Sequence, residues 1–413
     1  MDLDLSKRGR EMPASPIRDL VPYADEAKRR GTHVYHLNIG QPDLDTPPEL
    51  RERLKGIDAT CLSYTPATGT AEFLETMRRY YAGLGIALTT NQILGTTGGS
   101  EAILFAMVAC ADPGEDVMVV EPFYANYRGF AQMASLGIRA VTSRGRDGFH
   151  LPDRHVWDRQ LSAKTRMVVI CNPNNPTGAV YGSDELEMVA ELCREKGLYL
   201  LSDEVYREFT FDGRRPISAL ELDDMDEHVV VADSLSKRYS SCGIRLGCLV
   251  TRNQDIYLAA ARMAQARLAP PGIAQYLAIG ISDLEQRYLA HVREEYQLRR
   301  DYLYEALIRI PGVFLRKPEG AFYFIAQLPV EDSADFARWM LAEFEFEGST
   351  VMLAPAKGFY DHPGLGHDEV RIAYVLRIEQ LEKAVRALEA GLRAYRAERG
   401  LPPVEPEKQA SGA

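Results

Sequence analysis

The stretch Val229-Val-Val-Ala-Asp-Ser-Leu-Ser-Lys-Arg-Tyr-Ser-Ser-Cys-Gly-Ile-Arg-Leu-Gly247 changes character halfway. Its first part is an unbroken apolar run closed by Asp233. Short runs apolar at every position mark strands buried on both faces of a parallel sheet. Its second part is polar. Two small hydroxyl residues, Ser234 and Ser236, precede Lys237, and Arg245 follows between Gly243 and Gly247. A strand emptying into such a loop puts it at the carboxyl edge of the sheet, where open α/β sheets bind ligands. Lysine is the side chain that forms an imine with an aldehyde, and hydroxyls with an arginine suit a phosphate.

Working outward, Val117-Met-Val-Val120, Met167-Val-Val-Ile170 and Leu198-Tyr-Leu-Leu201 repeat the same apolar signature. Amphipathic helical patterns such as Ser183 to Lys196 lie between them. Alternation of this kind predicts a large, doubly wound, mostly parallel α/β domain over residues 46–290. Residues 1–45 read as an irregular arm packing with a smaller C-terminal α+β domain, residues 291–400. That domain combines a long charged helix over 282–310, strands at Gly320–Ile325, Val351–Leu353 and Val370–Ala373, and helices at 333–346 and 378–397. The Pro-rich polar tail, 401–413, reads as disordered.

Composition narrows the function. The 413 residues are 46% apolar and carry a net charge of −11, which disfavours binding to a nucleic-acid backbone. No run approaches the roughly 18 apolar residues of a membrane span, and the N-terminus lacks the order of a secretory signal. These readings place the protein in the cytoplasm. Six cysteines without a C-x-x-C pair read as free, buried thiols. His33, His36, His362 and His367 read as loop or strand-edge histidines, with no zinc-type spacing and no metal site.

Three polar clusters follow three predicted strands: Asn172-Pro-Asn-Asn-Pro-Thr-Gly178, Asp203-Glu-Val-Tyr206 and Ser234-Leu-Ser-Lys237. A fourth, Gly95-Thr-Thr-Gly-Gly-Ser-Glu-Ala-Ile103, leads into a helix predicted over Ser100 to Ala111, whose first amides are free to hold a phosphate. Taken singly, Asp203 reads as a helix cap, Tyr206 as core, Asn175 as a turn residue and Lys237 as a surface lysine. Converging on one edge, they have the makings of a pyridoxal-phosphate site: an amine for the aldehyde, a carboxylate for the ring nitrogen, and hydrogen-bond donors for the ring oxygen.

The pattern Ser234-x-Ser-Lys237-x5-Gly-x-Arg245-x-Gly247 resembles the cofactor-attachment signature of class I/II aminotransferases, which are fold-type-I pyridoxal-phosphate enzymes. The resemblance runs from Asn38 to about residue 395 and implies an enzyme of amino-acid metabolism. It casts Lys237 as the Schiff-base lysine, Asp203 as partner of the ring nitrogen, and Tyr206 and Asn175 as ligands of the ring oxygen. Gly98, Gly99, Ser100, Ser234, Ser236 and Arg245 form the phosphate cup it implies. Tyr124 stacks on the ring, and Tyr64 reaches the neighbouring subunit's phosphate, which implies a homodimer with shared active sites. Gly40 lines the substrate site, Arg371 grips the substrate α-carboxylate, and the Asn175–Pro176 bond is cis.

The implied reaction is ping-pong transfer of an amino group from an L-amino acid (aspartate, glutamate or aromatic) to a 2-oxo acid, with Lys237 moving the α-proton. A C–S β-lyase, or a synthase of the aminocyclopropane carboxylate type, could use the same residues. A regulator built on this fold would need an added DNA-binding domain, for which the arm before Asn38 leaves no room. A nicotinamide dehydrogenase would need a G-x-G-x-x-G fingerprint, which is missing. For a distal carboxylate, Arg267 is a candidate, although it reads better as a surface or interface arginine. Ser100 is uncharged where some dicarboxylate-binding relatives have lysine.

Overall fold

The computed structural model describes residues 3–14, 18–58, 60–284, 287–402 and 404. Most of the tail read as disordered lies outside these residues.

The first strand is β1 (His33–His36). The central sheet comprises β2 (Ile93–Thr96), β3 (Asp116–Glu121), β4 (Gly137–Thr142), β5 (Thr165–Cys171), β6 (Tyr199–Asp203), β7 (Val229–Ser234) and β8 (Gly247–Val250). Its order is β2-β8-β7-β6-β5-β3-β4. β4, β3, β5, β6 and β7 pair in parallel, while β8 pairs antiparallel with both β7 and β2. Alternation along each strand supplies two cores. Val117, Val119, Met167, Val169, Leu201, Val230 and Ala232 face one cluster, and Met118, Val120, Val168, Ile170, Leu200, Val229 and Val231 face the other. With helices on both sides, neither parity can be polar, which is why these strands read as continuous apolar runs.

The helix predicted between them spans Ser183–Lys196, burying Leu186, Val189, Ala190, Leu192 and Cys193. It ends at Gly197, whose φ of 64° is the left-handed C-cap conformation that glycine adopts without steric cost.

The C-terminal part holds an antiparallel sheet of β11 (Ala354–Pro355), β12 (Glu369–Ala373) and β9 (Tyr323–Gln327), and a parallel pair of β1 with β10 (Ser349–Met352). Long helices at Arg287–Leu307 and Ile378–Glu398 pack with it. The strand expected from Gly320 begins only at Tyr323, because Ala321 is held at φ 54°.

The described residues among the first 45 are not wholly irregular. They contain a helix, Val21–Arg29, and β1, which pairs residue for residue with Ser349–Met352. The helix buries only Ala24 and Ala27, so its apolar stripe is narrow and built from the smallest side chains. The charges of Asp-Glu-Ala-Lys-Arg-Arg outweigh it in a linear reading.

Among the described residues no helix is long and apolar enough to cross a membrane. All six cysteines are free: Cys110, Cys171, Cys193 and Cys248 are buried, Cys242 is half-buried, and Cys61 is exposed, contrary to the buried reading.

Candidate active site

The parallel strands β5, β6 and β7 deliver their carboxyl ends to one edge, and β2 joins them through β8. Asn172–Gly178, Asp203 and Ser234–Lys237 therefore meet as the sequence order of strands predicts. The reversed β8 starts at this edge too, which brings Arg245, just ahead of Gly247, back to it. Lys237, Asp203, Tyr206, Asn175, Tyr124, Gly99, Ser100, Ser234, Ser236, Arg245, Gly40 and Arg371 line a single cavity of about 510 Å³.

Lys237 donates from Nζ to the Gly40 carbonyl at 2.8 Å, with the Cys242 thiol 3.7 Å away. Gly40 has no room for a side chain, since a Cβ there would overlap the Tyr323 hydroxyl. Behind the lysine, Ser234 donates to Ser236 at 2.9 Å. The helix Gly99–Cys110 starts beside them, with Gly98 at φ 75°. A Cβ on Gly98 would sit 2.7 Å from an Arg245 Nη atom, so the glycine lets the guanidinium lie against the backbone. Arg245 itself adopts φ 54°, an uncommon conformation for a non-glycine residue, and donates to the Cys242 carbonyl at 3.1 Å.

Asp203 is buried and, among the described residues, pairs with no cation; its Oδ2 accepts from the Tyr127 hydroxyl at 2.7 Å. Burial pushes its carboxyl up to about 6, against the pull of Tyr127 and the Val205 amide. Tyr206 and Tyr323 share a hydroxyl–hydroxyl hydrogen bond of 2.8 Å. Arg371 donates to Asn175 Oδ1 at 3.0 Å and to the Asn38 carbonyl at 2.7 Å, and its guanidinium lies 4.4 Å from the Tyr323 ring centre. Its Nε is buried without a partner, as is Asn38 Nδ2. A buried donor left unpaired inside a cavity costs free energy that an acceptor from a ligand recovers. The Asn175–Pro176 bond is cis, as is Asn172–Pro173.

Two sequence candidates stand apart. Gly98 lies behind Arg245 rather than on the cavity wall, and Tyr64 is 82% exposed away from it. Arg267 is committed elsewhere: it donates to the Ala67 and Gly95 carbonyls at 3.2 Å and pairs with Glu101 at 3.6 Å. Three contributors carried no sequence signal that separated them from core or loop: Tyr323, Asn38 and Cys242. A fourth, Tyr127, had a partial one, standing in the same Glu121-Pro-Phe-Tyr-Ala-Asn-Tyr127 segment as Tyr124.

A parallel sheet with a lysine, a buried aspartate and an arginine at its carboxyl edge is the architecture of the fold-type-I aminotransferases, and solved structures agree. An aspartate aminotransferase of Thermus thermophilus with maleate superimposes with a TM-score of 0.85 at 27% identity, over 94% of this chain and 100% of that one. An alanine aminotransferase from Pyrococcus furiosus gives 0.86 at 28% identity, over 95% and 100%. The chain belongs to the class I and II aminotransferases, whose family model matches residues 32–388. It is similar to the aspartate aminotransferase of Bacillus subtilis, 28% identical over 94% of this chain and 98% of the relative. It is also similar to the aspartate/prephenate aminotransferase of Thermus thermophilus, 29% identical over 92% and 97%. It is thus a pyridoxal-phosphate-dependent transaminase.

The residues present fit that cofactor. Asp203 is a buried carboxylate with no cation against it, as a pyridinium nitrogen requires. The helix start at Gly99, Ser234, Ser236 and Arg245 offer the amides, hydroxyls and charge that a phosphate needs.

Proposed function

We propose that this aminotransferase takes a dicarboxylic amino acid, aspartate or glutamate, as its donor and that Lys237 is both cofactor anchor and proton carrier. The observation that carries this reading is that the Lys237 amine, the Asp203 carboxylate and the Arg371 guanidinium line one cavity. In support of the donor, the Bacillus relative is named for aspartate and the Thermus relative for aspartate and prephenate, and maleate, the ligand in a similar Thermus structure, is a dicarboxylate; the similar Pyrococcus structure is named for alanine.

When bound, pyridoxal phosphate supplies an aldehyde for covalent capture of amines and a ring that withdraws electrons. Asp203 would keep the ring nitrogen protonated, and Tyr127 fixes the orientation of that carboxylate through its 2.7 Å bond. Tyr206 donates toward the ring oxygen, with Tyr323 holding its hydroxyl. Asn175 uses its Oδ1 on Arg371, which leaves its amide nitrogen free to donate to the same ring oxygen. Tyr124 would cover the ring face, and Gly99, Ser100, Ser234, Ser236 and Arg245 would hold the phosphate. Arg371 binds the substrate α-carboxylate as a planar fork, already aimed by Asn38 and Asn175. As a free amine, Lys237 would take the α-proton on Nζ and give it back; positioned general bases typically contribute about 10²–10⁴-fold. The Gly40 carbonyl, 2.8 Å from Nζ, steers the free amine.

A homodimer with shared sites completes the reading: exposed Tyr64 has a role only if it reaches the phosphate in a second copy. Six free thiols are in keeping with a reducing, cytoplasmic setting.

A panel of amino acids, each mixed with the loaded enzyme and followed by the spectral change of the half-reaction, tests the donor class. Aspartate and glutamate are expected to convert the cofactor fastest. Faster conversion by phenylalanine or tyrosine would replace the dicarboxylate reading with an aromatic one.

A further inference from the structure

We propose that Arg18 is the specificity residue that reads the distal carboxylate of the substrate; this rests on the dicarboxylate donor proposed above. Five charged side chains line the cavity: Arg18, Lys237, Arg245, Arg371 and Asp203. Four cations against one carboxylate make this a basic well in a chain of net charge −11. Three of the cations are engaged. Lys237 is bonded to the Gly40 carbonyl, Arg245 to the Cys242 carbonyl, and Arg371 to Asn38 and Asn175. Each also has an assigned anion or covalent partner, namely the cofactor aldehyde, its phosphate and the substrate α-carboxylate. Arg18 alone has neither: among the described residues its guanidinium makes no hydrogen bond or ion pair. It enters the cavity from the segment just before the helix Val21–Arg29, with Val21 beside it.

The other positions that could supply this charge are closed. Ser100 lines the cavity but is neutral. Arg267 is held by Glu101 and by the Ala67 and Gly95 carbonyls. A second carboxylate entering the well therefore finds one uncommitted cation, and a guanidinium fork matches it bidentately. A substrate with an apolar side chain makes no carboxylate contact with this arginine, so removing it costs such a substrate little.

The test compares Arg18→Ala and Arg18→Lys with the unmodified, cofactor-loaded enzyme. kcat/KM is measured for aspartate and for alanine, and binding of maleate and of 3-phenylpropionate is titrated by the cofactor spectrum. Charge-assisted bidentate contacts of this kind correspond to about a 10- to 100-fold effect. Arg18→Ala is expected to lose that much in kcat/KM for aspartate and in maleate affinity, with alanine turnover and 3-phenylpropionate binding within about twofold, and Arg18→Lys is expected to recover part of the loss. Equal loss for both classes of ligand, or no loss for either, overturns the assignment of Arg18. If the unmodified enzyme neither turns over aspartate nor binds maleate, the dicarboxylate reading itself falls, and Arg18 with it.

Discussion

Asp203, the last residue of β6, and Asp233, the last but one of the neighbouring β7, lie at the same sheet edge and are both buried, yet their surroundings are opposite. Asp233 sits beneath the lysine loop in a network of partners. Arg238 donates to it at 2.9 and 3.0 Å, the Tyr81 hydroxyl at 2.9 Å and the Ser234 amide at 2.7 Å, and Arg207 bridges it to Glu204. Burial pushes its carboxyl up, but Arg238 and Arg207 more than offset this and hold it below the ordinary range. Asp203 has two neutral donors and, among the described residues, no cation, and burial wins. One aspartate is finished by the protein; the other waits for a ligand. The loop carrying Lys237 is thus rigid underneath and incomplete above, which is the arrangement a preorganised site requires.

Removing each acid should separate the two roles. Asp233→Asn leaves Arg238 and Arg207 buried with their shared carboxylate gone, and breaking a buried ion pair of this kind costs about 3–5 kcal/mol. A large drop in the denaturation midpoint is expected, with or without cofactor; a drop of only a degree or two would show that the network is not the scaffold. Asp203→Asn should act in the opposite sense on the cofactor-free protein. The folded carboxyl titrates at about 6 against an ordinary 3.8. Below about pH 4 it is neutral in both states and costs nothing. Between about pH 4 and 6 the unfolded carboxyl ionises while the folded one stays protonated, so stability falls across that window and levels off above 6, where the folded protein carries the buried charge. At pH 7–8 the Asn variant should be the more stable by about 2–3 kcal/mol, and at pH 4 the two should coincide. Stability curves that ran parallel across this range would place the uncompensated charge elsewhere. In the loaded enzyme the same substitution should cost about 10²–10³-fold in turnover, because the ring nitrogen loses its partner.

The same contrast explains what could be read from the sequence. The parallel strands were legible because burial on both faces leaves no polar position, and the Ser183–Lys196 helix because its stripe and Gly197 stop are local. β4 and β8 were not: both are opened by glycine, β8 is short, and β4 carries Arg139, paired to Asp116 at 2.8 Å. Lys237, Asp203 and Arg371 were legible because they belong to spaced motifs. Tyr127 and Asn38 were not, since their value comes from partners 76 and 333 residues away. Tyr323 lies in an aromatic strand where core packing explains it equally well. Arg18 stands out only when the charges around one cavity are counted together.

The central claim is that the incomplete side of this loop is completed by a covalent bond to Lys237. Reducing the loaded enzyme with borohydride converts a carbon–nitrogen double bond between cofactor and lysine into a stable amine. Mass spectrometry of the digested protein should then find the added cofactor mass on the peptide carrying Lys237. Finding it on another lysine, or on none, would contradict the account.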